Sequence, residues 1–516
     1  MADIVNRQPQ IKLGEVAQEI GAKLIGNERA EVKDITHDSR EVSAGWLFAA
    51  IRGAMTDGNL YVNQALERGS IGIISEQIQP PNFPGSWLEV SDARRALALA
   101  AAKIHHHPSR ELELVGITGT NGKTTTAYLV AEIAEKAETP VALMGTVEKR
   151  IGSERLRSSH TTTEASDTQR FLRRAVEAGC HAAVMECSSH AIALHRCDAL
   201  SFSVAVFTNL TRDHLDYHGT LDEYFAVKRR LFDGSLGERP RTSVINVDDA
   251  RGRELARDLR QTETQVVRYA VEQEAEVREA DVAARGIEFS LQGTSFRLQT
   301  RMGERVLRSP LIGRPHVYNI LAAIATGMAL GYDLDLIARG IETCRGAPGR
   351  FELVPHREEF AVVVDYAHTD DALENVLRTA RSVARARVIT VFGCGGDRDR
   401  TKRAPMGQRA AELSDVVILT SDNPRTEDPA VIAADVEIGL SRTRRPYRKI
   451  LDRREAIHSA IGEAKTGDVV LIAGKGHEDY QIIGTEVLPF SDREVARQAL
   501  QLRTLQPISE DLPQRH

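Results

Sequence analysis

Five cysteines in 516 residues, none spaced as Cys-x-x-Cys and odd in number, cannot build a disulfide framework. Cys180, Cys187, Cys197, Cys344 and Cys394 read as reduced thiols, which predicts a cytoplasmic protein. No apolar run approaches the ~20 residues of a membrane span, and Met1–Gln10 holds no signal-peptide core, so no membrane insertion is expected. A basic surplus is missing too. The 67 Lys and Arg face 73 Asp and Glu, a net charge of −6, which argues against a nucleic-acid partner. The stretch RTRRPYRK at 442–449 is read as a solvated helix end or loop, and His105–His107 as a polar linker ending at Pro108. There is no internal repeat and no low-complexity tract.

What is present suits a globular chain: 42% hydrophobic and 27% charged residues, with length for about three domains at ~150 residues each. Two punctuation points, HHHPSR at 105–110 and the Gly/Pro-rich RGAPGR at 345–350, predict divisions into 1–108, 109–345 and 346–516. In the second and third segments short Val- and Ile-rich runs alternate with helical stretches. Such runs read as parallel strands covered on both faces, hence an α/β fold. They span 112–118, 182–187, 204–209 and 243–248, then 360–366, 388–393, 415–421 and 468–474. Polar or glycine residues follow each run, and ligands of open parallel sheets bind at the carboxyl ends of strands. The first segment reads as a smaller α/β unit.

GITGTNGKTTT at 116–126 follows a strand and opens a helix. Glycines let backbone N–H groups approach phosphate oxygens, the helix N-terminus adds positive potential, Lys123 supplies a mobile cation and Thr124 a hydroxyl for Mg²⁺. A strict P-loop has glycine where Ile117 stands, so this is a variant. By itself the loop leaves kinase, GTPase, motor and ligase open. The absence of an Asn-Lys-x-Asp motif lowers the GTPase option. Glu186 ends a strand and offers Mg²⁺ a hard oxygen ligand. Asn209, Asp213, His214 and Asp216 follow the next strand. Thr220-Leu-Asp-Glu223 forms a capping box for a helix bearing Lys228, a position that pattern alone would leave exposed.

These motifs, with MECSSHA, TNLTRDHLDYHG, EYFAVKRRLF, GRPHVYN, PGRFE, DYAHT, GCGGDRDRTKR, SDNPRTEDP and GKGHEDYQ in this order, resemble those of the Mur ligases from Asp38 to Arg497. The resemblance implies three α/β domains: an N-terminal UDP-binding domain, a central P-loop domain for ATP and a C-terminal Rossmann-like domain for an amino acid. It implies that Ser39 and Ala54, Met55 and Thr56 touch UDP, and that Thr161, Thr162, Ser188 and Arg196 touch the muramoyl dipeptide. Gly119, Thr120, Asn121, Gly122, Lys123, Thr124 and Thr125 would form the ATP loop, with Asn319 at the adenine and Asp365 and His368 facing the nucleotide. Thr124, Glu186 and His214 would hold Mg²⁺, and Lys228 would be carried as a carbamate. Arg398, Asp422, Asn423, Pro424, Arg425, Gly474 and Glu478 would receive meso-2,6-diaminopimelate. Three positions depart from the family pattern: Thr163 and Asp370 stand where proline is usual, and Leu194 where glutamine is common.

The implied reaction is ATP-dependent amide formation on UDP-N-acetylmuramoyl-L-alanyl-D-glutamate through an acyl phosphate, with Lys123, Lys228, His214 and Glu186 as the catalytic group, in a monomer. One rival is a folylpolyglutamate synthetase, which shares the P-loop logic but not the SDNPR motif. The other is a nucleotide-dependent switch, which has no use for a charged amino-acid pocket.

Overall fold

The computed structural model describes residues 9–53, 56–158, 160–271, 280–443 and 445–505. Its chain forms three main sheets in sequence order. The first has five strands ordered Lys23–Ile25, Ser86–Glu89, Gly72–Ser75, Trp46–Ala49 and Asp34–Thr36. Only the pair at the Lys23–Ile25 edge is antiparallel. Helices Leu13–Ile20 and Ala93–Ile104 cover one face through Val16, Leu97 and Ala101.

The second sheet has eleven strands. Its middle runs Val141–Met144, Ala182–Glu186, Glu113–Thr118, Val204–Phe207, Thr242–Asn246, Gln265–Val271 and Val282–Ser290, all mutually parallel. Separate hydrophobic clusters on its two faces bury alternate residues of one strand, such as Val115 and Ile117 against Leu114. This is why these strands read as unbroken apolar runs. Antiparallel strands extend the sheet at both ends, Glu148–Ile151 with Glu154–Arg157 and Gly293–Thr300 with Gly303–Ser309. The sequence reading did not include these extensions.

The third sheet runs Glu352–Leu353, Ala361–Asp365, Val469–Ala473, Val388–Phe392, Val416–Leu419 and Tyr447–Lys449, parallel except at the first pair. All eight expected strands form, each within a few residues of its expected range. The turn-rich stretches 105–110 and 345–350 fall between sheets. In the basic stretch, Tyr447–Lys449 is an exposed edge strand, where loop or helix end was expected. The histidine linker is pinned: His106 and His107 have φ of 56° and 49°, and His105 Nε2 lies 3.0 Å from Asp34 Oδ1. Among the described residues no helix is long and apolar enough to cross a membrane.

Candidate active site

The strand Glu113–Thr118 delivers a loop whose glycines the geometry requires. A Cβ on Gly119 (φ 148°) would stand 1.9 Å from Thr208 Oγ1, and one on Gly122 (φ 89°) 2.3 Å from Asn319 Oδ1. Lys123 opens the helix Lys123–Lys136 and donates to the carbonyls of Gly119 and Thr120 at 2.8 and 2.9 Å. Burial pulls its pKa below the ordinary lysine value. Gly119→Ala would push the loop from its neighbour, and displacement of this size costs on the order of 10²-fold in activity. We expect ATP binding and turnover to fall together, measured by titration with a fluorescent ATP analogue and by ADP release. Wild-type affinity in the variant would show that the loop can yield.

Glu186 ends the strand next to the loop strand, opposite Ile117, and is 1% exposed. Its Oε2 accepts from Thr124 Oγ1 at 2.9 Å and Thr146 Oγ1 at 3.1 Å, and its Oε1 from Thr146 N at 2.7 Å. Thr146 was not singled out from sequence, because the strand Val141–Met144 before it was not recognised. Thr161 Oγ1 lies 3.1 Å from Thr146 Oγ1. Thr162 Oγ1 donates to the Glu186 carbonyl at 2.7 Å and accepts from Ser188 N at 3.1 Å. Arg196 donates to the Thr162 carbonyl at 3.2 Å and pairs with Glu164 at 2.5 Å. Thr124 and Glu186, expected at the metal, thus form one connected corner with the residues expected at the dipeptide. Among the described residues no three His, Cys, Asp or Glu side chains converge on a metal position.

The capping box at Thr220 and Glu223 forms and starts the helix Leu221–Arg229. That helix buries Lys228 to 1% exposure, contrary to the expectation for an isolated helix pattern. Its Nζ donates to the Gly119 carbonyl at 3.0 Å and stands 4.4 Å from the Tyr224 ring centroid. Burial first, then the nearby Lys123 charge, hold its pKa well below the ordinary lysine value. His214, with φ 53°, stacks edge-on with His190 at 4.6 Å between ring centroids, and burial lowers both pKa values, that of His190 to about 4. Asn209 binds the loop instead of facing outward: its Oδ1 accepts from Asn121 N at 2.9 Å.

The third sheet supplies the opposite wall. Asp365 accepts from Phe351 N at 2.6 Å and Ala367 N at 2.7 Å, and burial raises its pKa. His368 Nδ1 lies 2.9 Å from the Tyr366 carbonyl, with its pKa lowered to about 4 by burial. The Arg350 guanidinium covers the Tyr366 ring at 4.7 Å and reaches Thr124 Oγ1 at 3.5 Å. Between these walls lies a cleft of about 330 Å³ lined by Thr120–Thr125, Glu186, His214, Asn319, Asp365 and His368 among others.

A second cluster gathers at the carboxyl ends of Val416–Leu419 and Val469–Ala473. Lys475, 0% exposed, donates to Asn423 Oδ1 at 3.0 Å, Glu478 Oε2 at 3.1 Å and Asp422 Oδ1 at 3.4 Å. Asn423 Nδ2 also donates to Glu478 Oε2 at 3.0 Å, and burial raises the Glu478 pKa. A Cβ on Gly474 would lie 3.2 Å from Asp422 Oδ2. After Pro424, Arg425 has φ 52° and donates Nη1 to the Gly396 carbonyl at 2.8 Å, while Arg398 donates to the Asp397 carbonyl at 3.1 Å. In the sequence Lys475 is one residue of GKGHEDYQ, with nothing local to mark its partners across the sheet.

Comparison with known proteins agrees along most of the chain. The family descriptions that match are "Mur ligase family, catalytic domain" over 31–105, "Mur ligase middle domain" over 117–327 and "Mur ligase, glutamate ligase domain" over 349–476. A UDP-N-acetylmuramoyl-L-alanyl-D-glutamate–2,6-diaminopimelate ligase of Solibacter usitatus is 47% identical, covering 92% of this chain and 94% of its own. The chain belongs to the Mur ligase family. A second relative with that printed name, from Geobacter metallireducens, is 45% identical over 94% of this chain and 97% of its own. A solved structure of a protein so named aligns with TM-score 0.70 and 33% identity, covering 96% of this chain and all of its own. A Mycobacterium tuberculosis folylpolyglutamate synthase, at TM-score 0.58, 19% identity and coverage of 74% and 92%, shares the fold.

In this Mur ligase the described residues expected at UDP, Ser39 and Thr56, are not among those lining the cleft. Ser39 donates to Gln64 Oε1 at 2.6 Å, and Thr56 Oγ1 lies 3.2 Å from Tyr61 Oη. Ala54 and Met55 lie outside the described residues. Of the three departures, Thr163 turns its hydroxyl to Thr168 Oγ1 at 3.2 Å in the core. Leu194 follows the short helix Ser189–Ala193, and Asp370 begins the helix Asp370–Val383.

Proposed function

We propose that this Mur ligase joins meso-2,6-diaminopimelate to the D-glutamyl carboxyl of UDP-N-acetylmuramoyl-L-alanyl-D-glutamate, with ATP converted to ADP and phosphate, in the cytoplasm. The observation that carries the reading is the phosphate loop and Glu186 facing Asp365 and His368 across one cleft, with the charged 422–478 cluster on the same side of the third sheet. Relatives at 45–47% identity are named for this reaction. The described cysteines are all buried and free, in keeping with a reducing compartment. On this reading residues 1–108 hold the UDP end, 109–345 the ATP and 346–516 the amino acid.

The carboxylate of the dipeptide attacks the γ-phosphorus in line, and the bond to the ADP oxygen breaks. Lys123 and the loop N–H groups offset the charge spread over the transferring group. Thr124 and Glu186 provide two hard oxygens 2.9 Å apart, which fits Mg²⁺ held partly by substrate phosphates and water, not by an all-protein cage. His214 and a carbamylated Lys228 would complete the ion-binding group. Mg²⁺, when bound, supplies positive charge at the phosphate oxygens. The diaminopimelate amine, having lost a proton, then attacks the acyl carbon; phosphate leaves and the amide remains. Positioning across the two walls does most of the work left to the protein.

Purified protein with all three substrates should release ADP and phosphate in equal amounts over many turnovers, with no ADP beyond about one per active site when the UDP-dipeptide or the amino acid is omitted. Resolving the nucleotides by ion-exchange chromatography checks this. Stoichiometric AMP and pyrophosphate would sink the acyl-phosphate reading.

A further inference from the structure

One carboxylate joins the two walls of the nucleotide cleft. Asp371 sits in the first turn of the helix Asp370–Val383, whose N-cap Thr369 accepts from Ala372 N at 3.3 Å. Its Oδ2 reaches across to residues 250 and 160 positions away, accepting from Asn121 Nδ2 at 2.9 Å and Thr211 Oγ1 at 3.1 Å. Asn121 belongs to the phosphate loop. Thr211 lies in the segment that leads from the strand Val204–Phe207 to Asp213 and His214. These partners are themselves tied together: Thr211 N donates to Thr120 Oγ1 at 3.0 Å and Thr120 N to the Asn209 carbonyl at 2.9 Å. On the other side, the helix of Asp371 begins just after His368, and its Ala372, Asn375, Val376 and Thr379 line the cleft. A role in offsetting the helix dipole does not account for the contact, because Asp370 occupies the same first turn.

We propose that Asp371 is a positioning residue that latches the third domain onto the phosphate loop, so that ATP meets a completed cleft only while this contact is made. The proposal rests on the ATP-dependent ligase reading above. Hydrogen bonds to a carboxylate are among the stronger ones, and a two-sided site works only when its walls are held to within about 0.5 Å. Without the latch the domain keeps its connection at 345–350 and the apolar contacts of Ile312, Phe289 and Leu291, but it is no longer held at the phosphate loop and samples other orientations. The competent fraction drops, and apparent ATP affinity drops by that fraction. Ser39 and Thr56, expected at the UDP end, bond elsewhere, so affinity at that end is kept.

The test uses the full chain as Asp371→Ala and Asp371→Asn. For Asp371→Ala, KM for ATP rises and kcat falls, about 10- to 100-fold in kcat/KM, the range of a hydrogen bond to a charged group. Calorimetric affinity for the UDP-dipeptide and the melting temperature stay at wild-type values. Small-angle scattering with a non-hydrolysable ATP analogue shows a larger radius of gyration than wild type. Asp371→Asn, which keeps an acceptor for Asn121, recovers part of the loss. Wild-type ATP kinetics in Asp371→Ala overturn the latch, as does a uniform weakening of all substrates with a lowered melting temperature. Failure of the wild-type protein to form ADP and amide product would instead overturn the ligase reading, and scattering would still decide the latch.

Discussion

Lys228→Ala should lower turnover by on the order of 10²–10³-fold, the scale seen when one preorganised charge-stabilising group is lost. Lys123 and Lys228 share the Gly119 carbonyl at 2.8 and 3.0 Å, and the Lys123 charge adds to burial in holding the Lys228 pKa well below the ordinary lysine value. Burial at 1% exposure favours the neutral form of the Lys228 amine, and a neutral amine is what CO₂ requires. On the proposed reading the nitrogen lone pair would bond to the carbon of CO₂ as one C–O π bond opens, a proton would leave, and the neutral amine would become an oxygen-bearing anion near the phosphate loop. Folding should survive the substitution, because Gly119 keeps its bond from Lys123 and alanine suits a helix. Added acetate should restore part of the activity, and stripping dissolved CO₂ should lower that of the wild-type protein. Near-normal turnover of Lys228→Ala without any added anion would refute the carbamate.

Arg425→Ala should raise KM for meso-diaminopimelate about 10²-fold or more while KM for ATP changes little, and should narrow the preference over L-lysine. The two amino acids differ at the distal end, where only diaminopimelate has a carboxylate. Arg425 is held in a left-handed backbone conformation by two bonds to the hairpin Tyr480–Ile483 with Glu486–Pro489. Arg425 N donates to the Ile482 carbonyl at 3.1 Å, and Gly484 N donates to the Arg425 carbonyl at 2.8 Å. Its guanidinium presents five donors, and a planar fork suits bidentate pairing with a carboxylate. Next to it Asp422 and Glu478 carry two negative charges against one from Lys475, leaving one negative charge to meet an ammonium. Lysine would bind the ammonium side and leave the arginine unpaired. Equal use of both amino acids by the wild-type protein, or an unchanged preference in Arg425→Ala, would defeat this assignment. Competition assays with both amino acids read the ratio directly.

Signals that lie within a few residues of each other were legible without any coordinates. Continuous apolar runs marked the eight strands named from sequence, because a strand buried on both faces must be apolar at every position. The glycines and Lys123 marked a phosphate loop, since positive φ and close backbone approach leave few other residue choices. The capping box at Thr220 announced its helix for the same local reason. Asn121, Thr124 and Glu186 were nameable, yet Thr146, which holds both Glu186 oxygens, and Lys475, which bridges Asp422 and Glu478, were not given roles. Neither carries a local signal, because each meets a partner from another strand end, Thr146 at Glu186 and Lys475 at Asp422.

Lys228 shows where the division falls. Helical periodicity gives its angle on the Leu221–Arg229 helix but not what lies opposite, and a lone lysine there reads as exposed. What buries it is the Gly119 carbonyl, 109 residues earlier, brought close because Glu113–Thr118 and Val204–Phe207 are neighbouring strands. Asp371 is the same case across domains: a first-turn aspartate by sequence, and a contact to the phosphate loop only once two sheets face each other. Strand content, the phosphate loop and the family were therefore properties of the chain read locally. Which charges are buried, which carboxylate spans the cleft and how Arg425 is held were decided by tertiary packing, because desolvation and hydrogen bonding depend on distance in space, not along the chain.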